Sequence, residues 1–281
     1  MTTTSTPIQT HHRSVDGVRI RYADTGGASG PTIVLTSPWP ESLHAFAPVW
    51  AALAPHARLF ALDLPGFGRS ERRDDLMSPR AMGGFLARLV DDADLGRPYV
   101  VAPDVGTPAA LFAAAGYPHR FSGLVVGGGG TAYPLQLGEP LATWVLDPDL
   151  DRYRKIDPHV IVNTAVDNHA GAVPDHIRAD YLASYAGDRF VESLKYVRRY
   201  PEELPVLAEL LPHLEVPVTV VAGRHDHVVP LANADFVVDR VPHARAVVLD
   251  AGHFLWEEVP EEYAATVLEA IEPDQSTATQ E

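Results

Sequence analysis

Tyr99–Val100–Val101–Ala102–Pro103–Asp104–Val105–Gly106–Thr107 joins an apolar run to a small–x–Asp–x–Gly string and then to the Ala-rich stretch that ends near Ala115. A buried strand turning sharply into a helix would lift one side chain, that of Asp104, above a sheet. This is the layout of a nucleophile elbow, with aspartate where serine is usual. Small residues at Ala102 and Gly106 suit such a turn, which brings backbone close to backbone. The backbone N–H of Val105, at the start of the helix, would then face a developing oxyanion. Asp is also a common helix N-cap, so the segment by itself carries a plain structural reading too.

The flanking sequence alternates strand and helix patterns. Arg19–Ile20–Arg21–Tyr22 follows the Asp16–Gly17 turn signal and pairs with His12 to Val15 as a hairpin. Strand runs follow at Thr32 to Leu35, Leu59 to Leu62, Tyr99 to Val101, Leu124 to Val126, Val218 to Val221 and Ala246 to Leu249. These later runs are nearly continuous apolar stretches, as expected of strands covered by helices on both faces. Helical patterns over Ala45 to Leu53, Pro79 to Ala93, Thr107 to Ala115 and Asn233 to Arg240 lie between several of them. The alternation predicts an α/β fold with a doubly wound, mostly parallel central sheet and helices on both faces.

Between Pro134 and His213 no buried strand is evident, and Tyr, Arg and Asp recur at helix-like spacing. The expected organisation is a core of residues 11–133 and 214–273, a helical insertion over 134–213, and frayed polar tails at 1–10 and 274–281. Gly127 to Gly130 follows a strand without opening a phosphate-binding helix, so it reads as a flexible strand exit.

Composition narrows the function classes. The 281 residues carry 22 Lys+Arg against 37 Asp+Glu, a net charge of −15, which repels phosphate backbones and anionic lipid. Neither nucleic acid nor a membrane surface is an expected partner. With no cysteine, a disulfide scaffold, a thiolate zinc site, an iron–sulfur cluster and a cysteine nucleophile are all excluded. His225–Asp226–His227 has no further ligand pattern around it, so no metal is expected, and no other cofactor is expected either. No stretch approaches the roughly 18 apolar residues of a membrane span, and Met1 to Gln9 lacks the basic start and apolar run of a signal peptide. The expected location is the cytoplasm. Arg189, Lys195, Arg198 and Arg199 are interspersed with Asp188 and Glu192 and read as a solvated helix face. A homodimer is left open.

Two further residues fall into register with Asp104. Val218 to Ala222 runs into Gly223–Arg224–His225–Asp226, an acid at a strand end, and Val247–Val248–Leu249–Asp250–Ala251–Gly252–His253–Phe254 places a histidine just past the last strand. Nucleophile, acid, histidine is the chain order of the α/β-hydrolase layout. All three fall at carboxyl ends of predicted parallel strands, where such sheets bind ligands. From about Arg13 to Pro273 the chain resembles an α/β-hydrolase-fold enzyme with an inserted helical cap. Asp63–Leu64–Pro65–Gly66–Phe67–Gly68–Arg69–Ser70 is similar to that family's Asp-x-Pro-Gly-x-Gly-x-Ser loop. Gly252–His253–Phe254 followed by Glu257–Glu258–Val259–Pro260 is similar to its catalytic-histidine segment.

An aspartate nucleophile resembles the epoxide hydrolases and the haloalkane or haloacid dehalogenases of that superfamily. The resemblance implies that Asp104 displaces a leaving group at carbon and that water hydrolyses the resulting ester. His253 would activate the water, and Asp226 would hold its tautomer and stabilise its imidazolium. For an epoxide, giving a vicinal diol, two cap tyrosines would protonate the oxygen. The family places one early in the cap and one about thirty residues before the acid, which selects Tyr153 and Tyr196 from Tyr153, Tyr181, Tyr185, Tyr196 and Tyr200.

The family loop His-Gly-x-Pro-Glu-Ser is matched by Trp39–Pro40–Glu41–Ser42, so the Trp39 N–H would complete an oxyanion hole with that of Val105. Ser37–Pro38 departs from it, removing an amide donor and stiffening the loop. A dehalogenase would use N–H donors for the halide; the residue after Asp104 is Val105 rather than an indole, but Trp39 and Trp144 offer one. A non-catalytic ligand-binding protein on this fold is a third reading, supported by Ser37–Pro38. Trp39, Trp144 and Phe254 are expected to line a pocket between cap and sheet. Such a pocket would be mainly apolar and suit a small neutral, hydrophobic substrate.

Overall fold

The structure, a computed structural model, describes residues 8–27, 30–168 and 173–272. Eight strands form one sheet: β1 His11–Val15, β2 Val18–Asp24, β3 Thr32–Thr36, β4 Arg58–Leu62, β5 Tyr99–Pro103, β6 Gly123–Gly127, β7 Val218–Gly223 and β8 Ala244–Leu249. Their order is β1-β2-β4-β3-β5-β6-β7-β8. β1 and β2 pair antiparallel with Val15 opposite Val18, and the turn between them puts Asp16 and Gly17 at positive φ, as a two-residue hairpin requires. β2 joins β4 antiparallel, and every later pairing is parallel.

The helices are α1 Ala47–Leu53, α2 Pro79–Asp92, α3 Gly106–Gly116, α4 Leu141–Leu146, α5 Pro158–Asp167, α6 Asp175–Ser184, α7 Arg189–Val197, α8 Tyr200–Leu210, α9 Ala232–Val238, α10 Leu255–Glu258 and α11 Pro260–Ile271. α1 packs on α11 and α2 on α3 to flank the sheet. β6 and β7 are buried along their whole length, which is why they read as unbroken apolar runs. β8 departs from the expectation. It is the outermost strand, and Arg245, Ala246 and Val248 are exposed, because it has a neighbour on only one side.

β3 sits between β4 and β5, so the chain leaves it in one direction and returns on the other side. Open α/β sheets place their ligand crevice at such a reversal. The loops leaving β3 and β5 carry Trp39 and Asp104.

Helices α4 to α8 lie between β6 and β7. One flank of this insertion is clasped to the core by buried charge. The Arg21 guanidinium donates to Asp63 Oδ2 at 2.6 Å and to both oxygens of Asp180, on α6, at 2.7 and 2.9 Å. The Ser42 hydroxyl also donates to Asp180, at 2.8 Å. Arg189 is not on a solvated face as expected. Its guanidinium donates to the carbonyls of Gly68, Ser70 and Ser184, because α7 docks on the loop that follows β4.

Of the two expected tails, residues 1–7 and 274–281 lie outside the described residues, as does residue 273 at the end of the expected core. Ile8, assigned to the first, is instead buried in the core.

Candidate active site

Asp104 occupies the turn between β5 and α3 with φ +52°. A non-glycine residue there costs about 1–2 kcal/mol, so the surroundings must hold it. They do so through the Asp104 N–H, which donates to the Gly127 carbonyl at 2.8 Å, and through Thr107, whose hydroxyl donates to the carbonyls of Ala102 and Gly127 at 2.9 Å. Gly127 and Gly129 are not a flexible exit as expected. A Cβ on Gly129 would overlap the Asp104 carbonyl oxygen, and one on Gly127 would overlap the Val221 carbonyl oxygen. The glycines are where β6 lets the elbow and β7 approach.

Asp104 is buried, with its side chain 7% exposed. Its Oδ2 accepts the Trp39 backbone N–H at 2.5 Å, and the Val105 backbone N–H donates to the same carboxylate. The Trp39 amide is in place although Ser37–Pro38 replaces His-Gly; the Ser37 N–H is spent on the Leu62 carbonyl at 2.9 Å. Asp104 Oδ1 lies 3.9 Å from His253 Nε2. On the other side of the ring, His253 Nδ1 is 2.8 Å from Asp226 Oδ2, and Asp226 Oδ1 accepts the Val228 and Val229 amides, each at 2.8 Å. Asp226 therefore acts as a fixed acceptor that holds the ring and leaves Nε2 toward Asp104.

Burial pushes the Asp104 carboxyl up to about 6, against the pull of His253 and of the two amides. For His253, burial favours the neutral ring, but the charge and hydrogen bond of Asp226, with the charges of Asp104 and Glu41, leave it above its ordinary value.

A cavity of about 490 Å³ opens over these groups. Trp39, Trp144 and Phe254 line it together with Asp104 and His253, and α4 and α5 add Leu141, Val160 and Ile161. His225 and His227 also reach its wall, His225 with Nε2 at 2.9 Å from Asp250. Among the described residues no group of three or more His, Asp or Glu could hold a metal ion.

The two tyrosines expected as proton donors have their hydroxyls on other partners. Neither is among the residues lining the cavity. The Tyr153 hydroxyl donates to Asp147 at 2.7 Å, and burial together with that carboxylate pushes it up to about 12. The Tyr196 hydroxyl donates to the Val105 carbonyl at 2.7 Å. Helix periodicity placed both in the insertion, but which way a ring points depends on packing.

A family model for the alpha/beta hydrolase fold matches residues 31–260. The chain belongs to the alpha/beta hydrolase fold family. It is a hydrolase of that family, similar to a 2-hydroxy-6-oxononadienedioate/2-hydroxy-6-oxononatrienedioate hydrolase of Burkholderia vietnamiensis, with 27% identity over 279 residues, 90% of this chain and 91% of the relative. Among solved structures, Cfl2 of Burkholderia cenocepacia matches with a TM-score of 0.83 and 25% identity, over 96% of this chain and 98% of that one. The epoxide hydrolase CorEH shares the fold, with a TM-score of 0.78 at 20% identity over 94% and 98%. In this alpha/beta hydrolase no helix among the described residues is long and apolar enough to cross a membrane.

Three contributors were not assigned from the sequence. Glu258 accepts the amides of Gly252 and Phe254. Glu41 accepts the Trp256 indole N–H at 2.9 Å, in full burial. Ser193 accepts the Trp39 indole N–H at 2.8 Å. Glu258 and Glu41 lie inside the two recognised segments, so their position was visible and their partners were not. Ser193 carries no signal in the sequence.

Proposed function

We propose that the protein hydrolyses a small neutral epoxide through an aspartyl ester. The observation that carries this reading is the state of Asp104: a carboxylate on the elbow, with Oδ2 held by the Trp39 amide and Oδ1 toward His253. A carboxylate needs no base to attack a saturated carbon. Oδ1 forms the new C–O bond, the ring C–O bond breaks, and the electron pair goes to the ring oxygen, which takes up a proton from water. Water then attacks the ester carbonyl and gives a proton to His253 Nε2. The charge that develops on Oδ2 meets the Trp39 and Val105 amides already in place. Collapse expels the alkoxide, which takes the proton from His253; the carboxylic acid left on Asp104 gives one proton to water, replacing the one taken up by the ring oxygen, and the products are a vicinal diol and the free carboxylate. Asp226 stabilises the imidazolium between these steps.

A halide leaving group is the second reading, and one observation favours it. Displacing a halide needs no proton, and the hydroxyls of Tyr153 and Tyr196 are engaged away from the cavity while the Trp144 indole lines it. With Trp39 donating its indole N–H to Ser193, Trp144 is the better placed indole.

Intact mass spectrometry of a His253→Gln variant after exposure to epoxides and haloalkanes separates the readings. A gain of one whole epoxide, abolished by Asp104→Asn, is the expected result. A gain of an alkyl group with loss of halide supports the second reading. No adduct from either series would remove Asp104 as nucleophile.

A further inference from the structure

Phe190, Ser193 and Tyr196 are spaced three residues apart along α7 and so share one face of that helix. All three are fully buried, and none lines the cavity. Each touches one arm of the pair of amides around Asp104. The Phe190 ring stacks on Trp39, with centroids 5.3 Å apart and planes 13° from parallel. Ser193 Oγ accepts the Trp39 indole N–H at 2.8 Å and donates its own proton to the Phe190 carbonyl at 2.6 Å, so its polarity is fixed. Tyr196 donates to the carbonyl of Val105, the residue whose N–H forms the other arm.

We infer that this face of α7 positions both amides of the oxyanion hole, so that the inserted helices set the geometry in which Asp104 reacts. The inference rests on the carboxylate-nucleophile reading above. The core supplies the amides but leaves each with a loose end. Trp39 lies on the loop leaving β3, and Val105 is the first residue past the elbow. Stacking and the Ser193 hydrogen bond stop the Trp39 ring from rotating, which holds its backbone N–H on Asp104 Oδ2. The Tyr196 hydroxyl holds the first turn of α3. A misplacement of about half an ångström at such donors is enough to weaken transition-state binding. The same geometry commits the Tyr196 proton to a peptide carbonyl, which makes Tyr196 a positioning residue rather than an acid.

The test uses the full chain with Ser193→Ala, Ser193→Thr and Tyr196→Phe, each alone and combined with His253→Gln. Proton–nitrogen NMR reads the Trp39 and Val105 amides, and intact mass reads the rate of ester formation with styrene oxide and with an alkyl bromide. Ser193→Ala is expected to shift the Trp39 amide and slow ester formation about tenfold at nearly unchanged half-saturation, with Ser193→Thr restoring both. Tyr196→Phe is expected to shift the Val105 amide and slow both substrates alike. Unmoved amides overturn the inference whatever the rates do. A Tyr196→Phe loss confined to the epoxide overturns it for that residue by making it a proton donor. Absence of any ester in the His253→Gln parent defeats the carboxylate-nucleophile reading, and the amide shifts still decide the inference.

Discussion

Glu258 grips the backbone on both sides of His253: Oε2 accepts the Gly252 N–H at 2.7 Å and Oε1 the Phe254 N–H at 2.9 Å. Bonds from amides to an ionised carboxylate are among the stronger ones available. They fix where the imidazole is rooted, while Asp226 fixes how it is turned. Glu258→Ala is expected to slow the water step by one to two orders of magnitude, roughly the effect of misplacing a general base. Ester formation, which needs no base, should keep its rate. Intact mass spectra taken during turnover should then show the adduct accumulating in the variant and not in the parent.

The raised carboxyl of Asp104 predicts a pH dependence with a definite sign. In the proposed reaction its ionised form attacks, so single-turnover ester formation should rise with pH through about 6 and level off above. The same shift bears on stability. A carboxyl at about 6 in the fold against an ordinary 3.8 contributes stability in full below 3.8, and that contribution is lost as pH rises through 6. At pH 8 the buried charge therefore costs on the order of 2–3 kcal/mol. Asp104→Asn removes that cost, so it should melt several degrees higher than the parent at about pH 8 and show no such advantage near pH 4, as calorimetry would reveal.

Arg21 is 2% exposed and satisfies Asp63 and Asp180 together. Removing one partner of a buried ion pair leaves the others charged and dry, at a cost of about 3–5 kcal/mol. Arg21→Ala should lower the unfolding free energy by that amount. Arg21→Ala combined with Asp180→Ala should recover part of it, because one of the stranded charges is gone. Urea titrations of the two variants would measure the difference.

Tyr153→Phe should leave turnover within about threefold of the parent, since the hydroxyl serves Asp147 and not the cavity. Steady-state rates on a good substrate would check this. A loss of several orders of magnitude would return Tyr153 to the role of acid.

The parts that were readable from the chain share a physical property: they are local. Asp104, Asp226 and His253 each sit at the end of an apolar run, and a strand end followed by a turn is written in consecutive residues. The exposure of β8 is not legible because Val247–Val248–Leu249 reads the same whether its outer side meets a helix or water. The contacts of Arg189 and of the Tyr196 hydroxyl are hidden for a related reason. Helical spacing assigns a residue to a face, but whether that face meets solvent, the loop after β4 or the elbow depends on where α7 docks.

The amino-acid sequence by itself determined the alternation of strand and helix and the three strand ends that carry Asp104, Asp226 and His253, because backbone geometry and hydrophobic period act over a few residues at a time. The tertiary structure alone decided which polar groups meet across long separations. These are Ser193 on Trp39, Tyr196 on Val105, Arg21 on Asp180 and Gly129 against Asp104. Each of these contacts joins segments that approach only when whole layers pack, and a hydroxyl or an amide finds its partner by the final positions of those layers.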